Sequence, residues 1–522
     1  MTDDIPIFAD LSLYDKPESQ TARYQNLVQN YKEVFQAAPE FIARAPGRVN
    51  LIGDHIDYCY FSVLPMAIEY DVIEAIGQVN NSKGHFVYVA NTDKRFSAEK
   101  IELPDDGSIV TIDKSSHSWT NYYRCSLIVA QNFILEKFPN RKGQPLKSIN
   151  VVIDGTVPAG GGLSSSAALC VASTLGILKA NGIERVTKKD LTRITVVSEH
   201  YVGLNNGGMD QCASVCGEKG KVLFIEFQPE LRATPYSIPE IHPPLKPLSF
   251  LITNTLVESN KNESAPVNYN LRVVEMAIGA EFLARRNGLS LPKNSNLNTG
   301  TLRGFMDAYF VEKKHLPSWN GRDIELGIQR LQELAEQIET WFTDSQKIGF
   351  TTAEAAEGLG LSIEQFTKKY LTTFPVRYQK LKIYQRTKHV FDEAKRVLET
   401  LRLFSDPTAS ENSPIFLKRF GEIMDQSQHS LKTLLMNSTT ECDELCRIAR
   451  ENGSLGSRIT GAGWGGSLVH FTTEDKLQNL IHALVEQYYK KRFPKITETE
   501  ISHAVVVTKP AVGSCIVTQV DF

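Results

Sequence analysis

The stretch Val157 to Ala168, reading Val-Pro-Ala-Gly-Gly-Gly-Leu-Ser-Ser-Ser-Ala-Ala, constrains this chain more than any other. Three consecutive glycines let a backbone wrap closely round a ligand, and the hydroxyls after them fall where a helix should begin. Upstream, Ile149 to Ile153 is a short β-prone run; downstream, Ala167 to Ala180 is apolar at helical spacing. A strand, a glycine loop and a helix in that order aim free N–H groups and the positive end of a helix dipole into the loop. A phosphate is the natural occupant, and a ligand-free tight turn is the bland alternative.

Three further constellations decide between them. Ala45 to Tyr58 packs Arg48, Asp54, His55 and Asp57 into ten residues, with Gly47 and Gly53 free to bend the backbone. Several oriented charged and polar groups suit a sugar better than an apolar slot would, and a solvated turn is the competing reading. Leu204 to Gln211 sets two glycines before Asp210, which could serve as a base or an electrostatic partner. Glu199, on the helical run before it, could hold a divalent ion through oxygen. Gly453 to Gly466 crowds glycines between a helix and the strand Ser467 to Phe471, so that loop must pass close to something.

At 522 residues the chain is long enough for two or three domains, and a net charge of -3 gives no general bias toward nucleic acid or anionic membrane. The eight cysteines are scattered without Cys-x-x-Cys spacing and read as buried, reduced thiols. No signal-like leader and no membrane-length apolar run are visible, so a cytosolic location is expected, with the nucleus open.

Along the chain, residues 1 to 22 read as a loosely held polar arm, Phe41 to Arg44 as a strand, and Trp119 to Phe138 as a helix opening on aromatics. Six prolines between Pro229 and Pro247 suggest a boundary, which divides the chain into residues 1–236 and 237–522. Residues 288 to 325 carry little periodicity and read as an irregular connection inside a largely helical insertion near 288–380. The helical patterns at Leu326 to Phe342, Ser362 to Tyr370 and Leu381 to Leu401 read as packing rather than chemistry.

Taken in order, the four constellations resemble the GHMP small-molecule kinases, and within them the galactokinases. Gly47 to Tyr58 is similar to the family's sugar signature, Pro158 to Ala168 to its ATP-binding loop, Gly207 to Gln211 to its catalytic stretch, and Gly456 to Gly466 to its third motif. The length and helical insertion resemble the fungal branch, which includes kinases that also sense galactose. The resemblance implies an α/β (α+β) fold of two domains with the active site in the interdomain cleft, and ATP-dependent phosphorylation of galactose at its anomeric hydroxyl. It implies catalytic roles for Arg48 and Asp210, and sugar contacts from Arg48, Asp54, His55, Asp57, Gly208, Asp210 and Tyr269. It assigns the nucleotide to Trp119, Tyr122, Gly160, Gly161, Gly162, Leu163, Ser164, Ser165, Ser166 and Ala167, and a magnesium ion to Ser166 and Glu199.

One departure stands out: galactokinases usually carry Glu where this chain has Asp54, and the shorter side chain would need a water to reach the same hydroxyl. Two alternatives stay open. One is an N-acetylgalactosamine kinase, against which Tyr269 argues, since that relative typically has phenylalanine there. The other is a non-catalytic inducer that binds ATP and galactose and then captures a transcriptional repressor; the full-length Ser164 to Ala168 stretch argues for catalysis. A monomer without nucleic-acid or membrane partners is expected.

Overall fold

Two long β-rich runs pair as the antiparallel centre of a seven-stranded sheet. They are β2 (Phe41–Asn50) and β3 (Pro65–Gln78), flanked by β1 (Ile7–Phe8), β4 (His85–Asn91), β5 (Glu99–Leu103), β6 (Ile149–Gly155) and the last strand, β13 (Cys515–Val517). The order is β1-β13-β2-β3-β6-β4-β5. A second, antiparallel sheet has the order β10-β11-β9-β12, from β9 (Leu248–Asn254), β10 (Gly456–Ile459), β11 (Ser467–Thr473) and β12 (Val505–Thr508). A separate hairpin joins β7 (Lys221–Glu226) to β8 (Arg232–Ser237). This computed structural model describes residues 3–80, 83–112, 118–158, 160–198, 201, 207–257, 264–295, 297–373 and 375–521.

Period-two alternation sends the side chains of the large sheet to opposite faces, and each face has its own cover. On one side, helix α1 (Pro17–Phe35) lays Tyr24, Leu27, Val28 and Tyr31 against Ile42, Ile73 and Val152. On the other lie α2 (Thr120–Lys137) and α3 (Ser165–Ala180), with α3 running across β2 and β3. Gly176 eases the close approach of α3, because a Cβ there would stand 2.2 Å from Ile76 Cδ1 and push that side chain aside.

Three expectations need correction. The N-terminal arm is docked rather than loose: β1 pairs with β13, Leu11, Leu13 and Tyr14 are buried, and Tyr14 Oη donates to Asp71 at 2.5 Å. Its apolar residues are too few to show a period, so only their tertiary partners reveal the docking. Second, the β2 strand does not stop at Arg44. It runs through Pro46 and Gly47 to Asn50, with a bulge between Pro46 and Arg48 that absorbs them. Third, the segment 288–325 contains the buried helix Leu302–Ala308, whose Leu302, Phe305 and Met306 pack into the core. Burial there overrides weak local propensity.

Helices form over Ile324–Trp341, Thr352–Leu359 and Ile363–Tyr370 in the insertion, and the starts of its short helices are written locally. Thr343 with Gln346, Thr351 with Glu354 and Ser362 with Gln365 each form a reciprocal capping box. Of these short helices Asp344–Ile348 packs on the long helix Ile383–Ser405, and Thr352–Leu359 packs on the helix Tyr269–Arg286. The division expected near residue 236 is crossed by the chain's end, since β13 returns to the first sheet. All eight cysteines are buried and unbridged. No helix among the described residues is long and apolar enough to cross a membrane.

One buried carboxyl has a measurable consequence. Glu74 on β3 is fully buried, accepts a hydrogen bond from Ser173 Oγ at 2.6 Å, and burial pushes its carboxyl up to about 8. In the unfolded chain it would ionise near 4.5, so between pH 4.5 and 8 the native state holds a proton that the unfolded state releases. Its contribution to stability is therefore complete below pH 4.5 and is lost as pH rises, at about 1.4 kcal/mol per pH unit. Glu74→Gln should gain stability relative to the parent between pH 5 and pH 8 in denaturation measurements. An equal difference at both pH values would show that Glu74 is already ionised in the native protein.

Candidate active site

Between the two sheets lies a solvent-open cleft to which all four sequence constellations contribute. Its floor is made at the β2 bulge. Gly47 is needed there because a Cβ would stand 2.7 Å from Leu163 O, and this closeness lets Arg48 N–H donate to the same carbonyl at 3.1 Å. The Arg48 side chain, 4 % exposed, donates from Nε to Asp210 Oδ1 at 2.8 Å and from Nη1 to Gly162 O at 2.7 Å. One guanidinium thus ties the glycine loop to the carboxylate.

Asp210 sits in the first turn of helix α4 (Met209–Cys216), where the helix dipole favours an anion. Its second oxygen, Oδ2, accepts from Ser164 Oγ at 2.6 Å. Ser164 occupies the residue before α3 with a left-handed φ of 60° and makes no capping bond to that helix. The first turn of α3 carries no acidic side chain, so its orphan N–H groups face a site suited to phosphate. Gly160, Gly162, Ser164 and Ser166 line the cleft, whereas Leu163 and Ala167 are buried behind it. Gly161 turns its carbonyl to accept from Ser467 Oγ, and Ser165 is the first helical residue.

The sugar-signature loop forms the opposite wall. Asp54, 1 % exposed, lines the cleft while its oxygens accept from Asn50 Nδ2 at 2.9 Å, Gly461 N at 3.3 Å and Arg458 Nη2 at 2.5 Å. Its short side chain is therefore not left short of partners. His55 Nε2 lies 2.9 Å from the carbonyl of Ala462, which can only accept, so Nε2 carries the hydrogen and Nδ1 accepts from Tyr58 Oη at 2.9 Å. Burial pushes this imidazole down to about 3, so it stays neutral and both nitrogens are engaged. Asp57 is buried too; desolvation and the nearby Asp210 push its carboxyl up to about 7. A Cβ at Gly207 would lie 2.4 Å from Asp57 Oδ2 and 2.6 Å from Tyr58 N, so only glycine lets the stretch before Asp210 pass so close. Gly208, at φ 97°, turns the chain into α4 and packs on Val196. Tyr269, first residue of helix Tyr269–Arg286, closes the wall with Trp464; their rings stand 5.4 and 5.7 Å from His55.

The two aromatic residues expected at the nucleotide, Trp119 and Tyr122, also stand outside this lining. Trp119 packs on Phe96 at 5.7 Å and donates Nε1–H to Ser97 O, while Tyr122 lies in the first turn of α2. For the metal, Ser166 faces the cleft at the start of α3, and Glu199 lies outside the described residues. Among the described residues no three His, Cys, Asp or Glu side chains converge on one point. The Ser166 hydroxyl, facing the cleft, fits an ion that is held mainly by the phosphates themselves, as magnesium is in phosphoryl-transfer sites.

The support beneath Asp54 comes from residues outside the sequence-predicted site set. Arg458, fully buried, donates Nη1 to Asn50 O and Leu51 O, each at 3.0 Å, and Nε to Ser427 Oγ at 3.1 Å. Behind it Glu393 accepts Gly53 N–H at 2.9 Å and pairs with Arg396 at 2.8 Å and Arg458 at 3.6 Å. Burial alone would raise the Glu393 carboxyl, but Arg396 and Arg458 pull it down to about 2. His389 Nε2 faces Asp54 O at 3.1 Å. A signal was present: His389 and Glu393 fall on the apolar stripe of helix Ile383–Ser405, where a polar residue demands a partner.

Models of the GHMP kinases N terminal domain and the GHMP kinases C terminal match residues 125–218 and 415–490. With a glycine loop opening a helix onto an interdomain cleft, they define a GHMP-type kinase. A galactokinase galactose-binding signature matches residues 29–78. The chain is 53% identical to galactokinase of Schizosaccharomyces pombe over 99% of each chain. It is 46% identical to that of Saccharomyces cerevisiae, covering 97% of this chain and 96% of the relative. The chain belongs to the galactokinase family. In fold it is similar to the crystal structure of Lactococcus lactis galactokinase complexed with galactose, at 21% identity and a TM-score of 0.63, covering 94% of this chain and 98% of that one.

Proposed function

We propose that this protein transfers the terminal phosphoryl group of ATP to the anomeric hydroxyl of galactose. The observation that carries this reading is the Arg48–Asp210 pair at 2.8 Å, set between an uncapped helix start and a sugar-signature loop in a chain of the galactokinase family. Phosphoryl transfer asks little covalent chemistry of a protein and much positioning and charge stabilisation. Asp210 Oδ2 is the oxygen to orient the sugar hydroxyl and take its proton. Arg48 offsets the charge on Asp210 and on the transferring group. The first turn of α3 and the loop around Gly162 hold the phosphates, and Ser166 with Glu199 would hold a magnesium ion that neutralises phosphate charge. Asp54, Asp57, His55 and Tyr269 shape the sugar's side of the cleft, while Trp119 and Tyr122 remain the proposed adenine contacts.

The test is ADP release with ATP and magnesium against galactose, N-acetylgalactosamine, glucose and mevalonate. Turnover on galactose well above the others is expected; turnover on N-acetylgalactosamine alone, or none on any sugar, would overturn the assignment. The likeness to fungal galactose-sensing kinases supports a second role, capture of a transcriptional repressor by the ligand-filled cleft. Pull-down of a galactose-gene repressor with and without both ligands checks it, and capture independent of the ligands would dismiss it.

A further inference from the structure

Both oxygens of Asp210 have partners within the chain itself: Oδ1 accepts from Arg48 Nε at 2.8 Å and Oδ2 from Ser164 Oγ at 2.6 Å. The second contact is unusual for its place in the chain. A serine preceding a helix ordinarily has extended backbone and turns its oxygen back to accept an N–H of the first turn. Ser164 does neither; it holds a left-handed φ of 60°, and its hydroxyl reaches instead to a residue 46 positions away. The orphan N–H groups that it leaves uncapped open the start of α3 to a phosphate.

A hydroxyl has one hydrogen to give. While Ser164 donates it to Asp210, it satisfies the oxygen that must accept the sugar's proton and makes that oxygen a poorer acceptor. Phosphate oxygens bound at the start of α3 would compete for the same hydrogen, since Ser164 lines the cleft beside Gly162 and Ser166. We infer that Ser164 is a positioning residue which caps Asp210 in the nucleotide-free protein and releases it when nucleotide binds, so that nucleotide binding prepares the carboxylate for galactose. This rests on the galactose reading above. By linkage the effect is reciprocal: galactose and nucleotide each tighten the other's binding.

Galactose binding by the full-length chain, followed by calorimetry without nucleotide and with ADP–magnesium or a non-hydrolysable ATP analogue, tests it. In the parent, nucleotide should tighten galactose about 3- to 10-fold, the worth of one typical net hydrogen bond. Ser164→Ala should bind galactose about 3- to 10-fold more tightly than the parent with no nucleotide present, and the nucleotide effect should fall below about twofold. Ser164→Gly should do the same, and glycine keeps the left-handed loop without strain. A residue with a merely structural role would weaken galactose binding when removed. Nucleotide-free affinity equal to or weaker than the parent's in folded Ser164→Gly, with the nucleotide effect intact, overturns the inference. A parent that binds no galactose in either state overturns the sugar reading and this inference with it.

Discussion

Asp210→Asn is expected to lower turnover about a hundredfold to ten-thousandfold, the usual worth of a positioned proton acceptor. Asparagine keeps the shape and can still accept from Arg48 Nε, which now lies 2.8 Å from Oδ1, so the fold of the cleft should persist. What is lost is the charge that orients the sugar hydroxyl and takes its proton. ATP binding depends on the start of α3 and the glycine loop, neither of which is altered, so nucleotide affinity should not fall, and it should rise to the extent that Ser164 Oγ is freed from Asp210. The measurement is kcat beside nucleotide affinity. Turnover within threefold of the parent would remove Asp210 from the chemistry and leave Arg48 as the principal charged group at the floor.

Arg458→Met should be the most damaging single change to stability near the site. It removes a cation that is fully buried, leaving Asp54 and Glu393, 1 % and 0 % exposed, without their shared partner. Breaking one side of such a buried pair costs about 3–5 kcal/mol, because a charge stays behind in a poorly solvating interior. Glu393 retains Arg396 at 2.8 Å, so Asp54 bears most of the loss. The loop that carries Asp54 also loses two donors to its backbone, at Asn50 O and Leu51 O, and KM for galactose should rise more than KM for ATP. The double variant Arg458→Met with Asp54→Asn should recover part of the stability, since the uncompensated charge is gone. A loss below about 1 kcal/mol for Arg458→Met in denaturant titration would mean that this strut adds nothing net to the fold.

Sequence pattern alone reached far into this protein where local chemistry decides the structure. The glycine loop, the strand before it and the helix after it are legible because glycine spacing and apolar periodicity are local properties. The loop gathered Gly160, Gly162, Ser164 and Ser166 at the cleft, and the capping boxes of the insertion follow from residues three apart. Polar crowding in Ala45 to Tyr58 likewise pointed to a site, and its Arg48, Asp54, His55 and Asp57 all line the cleft.

Contacts between distant parts of the chain were decided by the tertiary structure. The N-terminal arm is docked because Tyr14 meets Asp71, 57 residues away, and Leu11 and Leu13 meet the back of the sheet. The long helix Ile383–Ser405 looked like packing alone, yet it carries Glu393 and His389 beneath the sugar loop, 340 and 335 residues from their partners. Arg458 was visible within a glycine motif, but its role exists only where Asn50, Leu51, Asp54 and Ser427 converge on it. Periodicity, glycine and caps are written within a few residues of the chain and so determine elements and loops. Burial of a charge is a property of what surrounds it, and that surrounding is assembled from segments hundreds of residues apart.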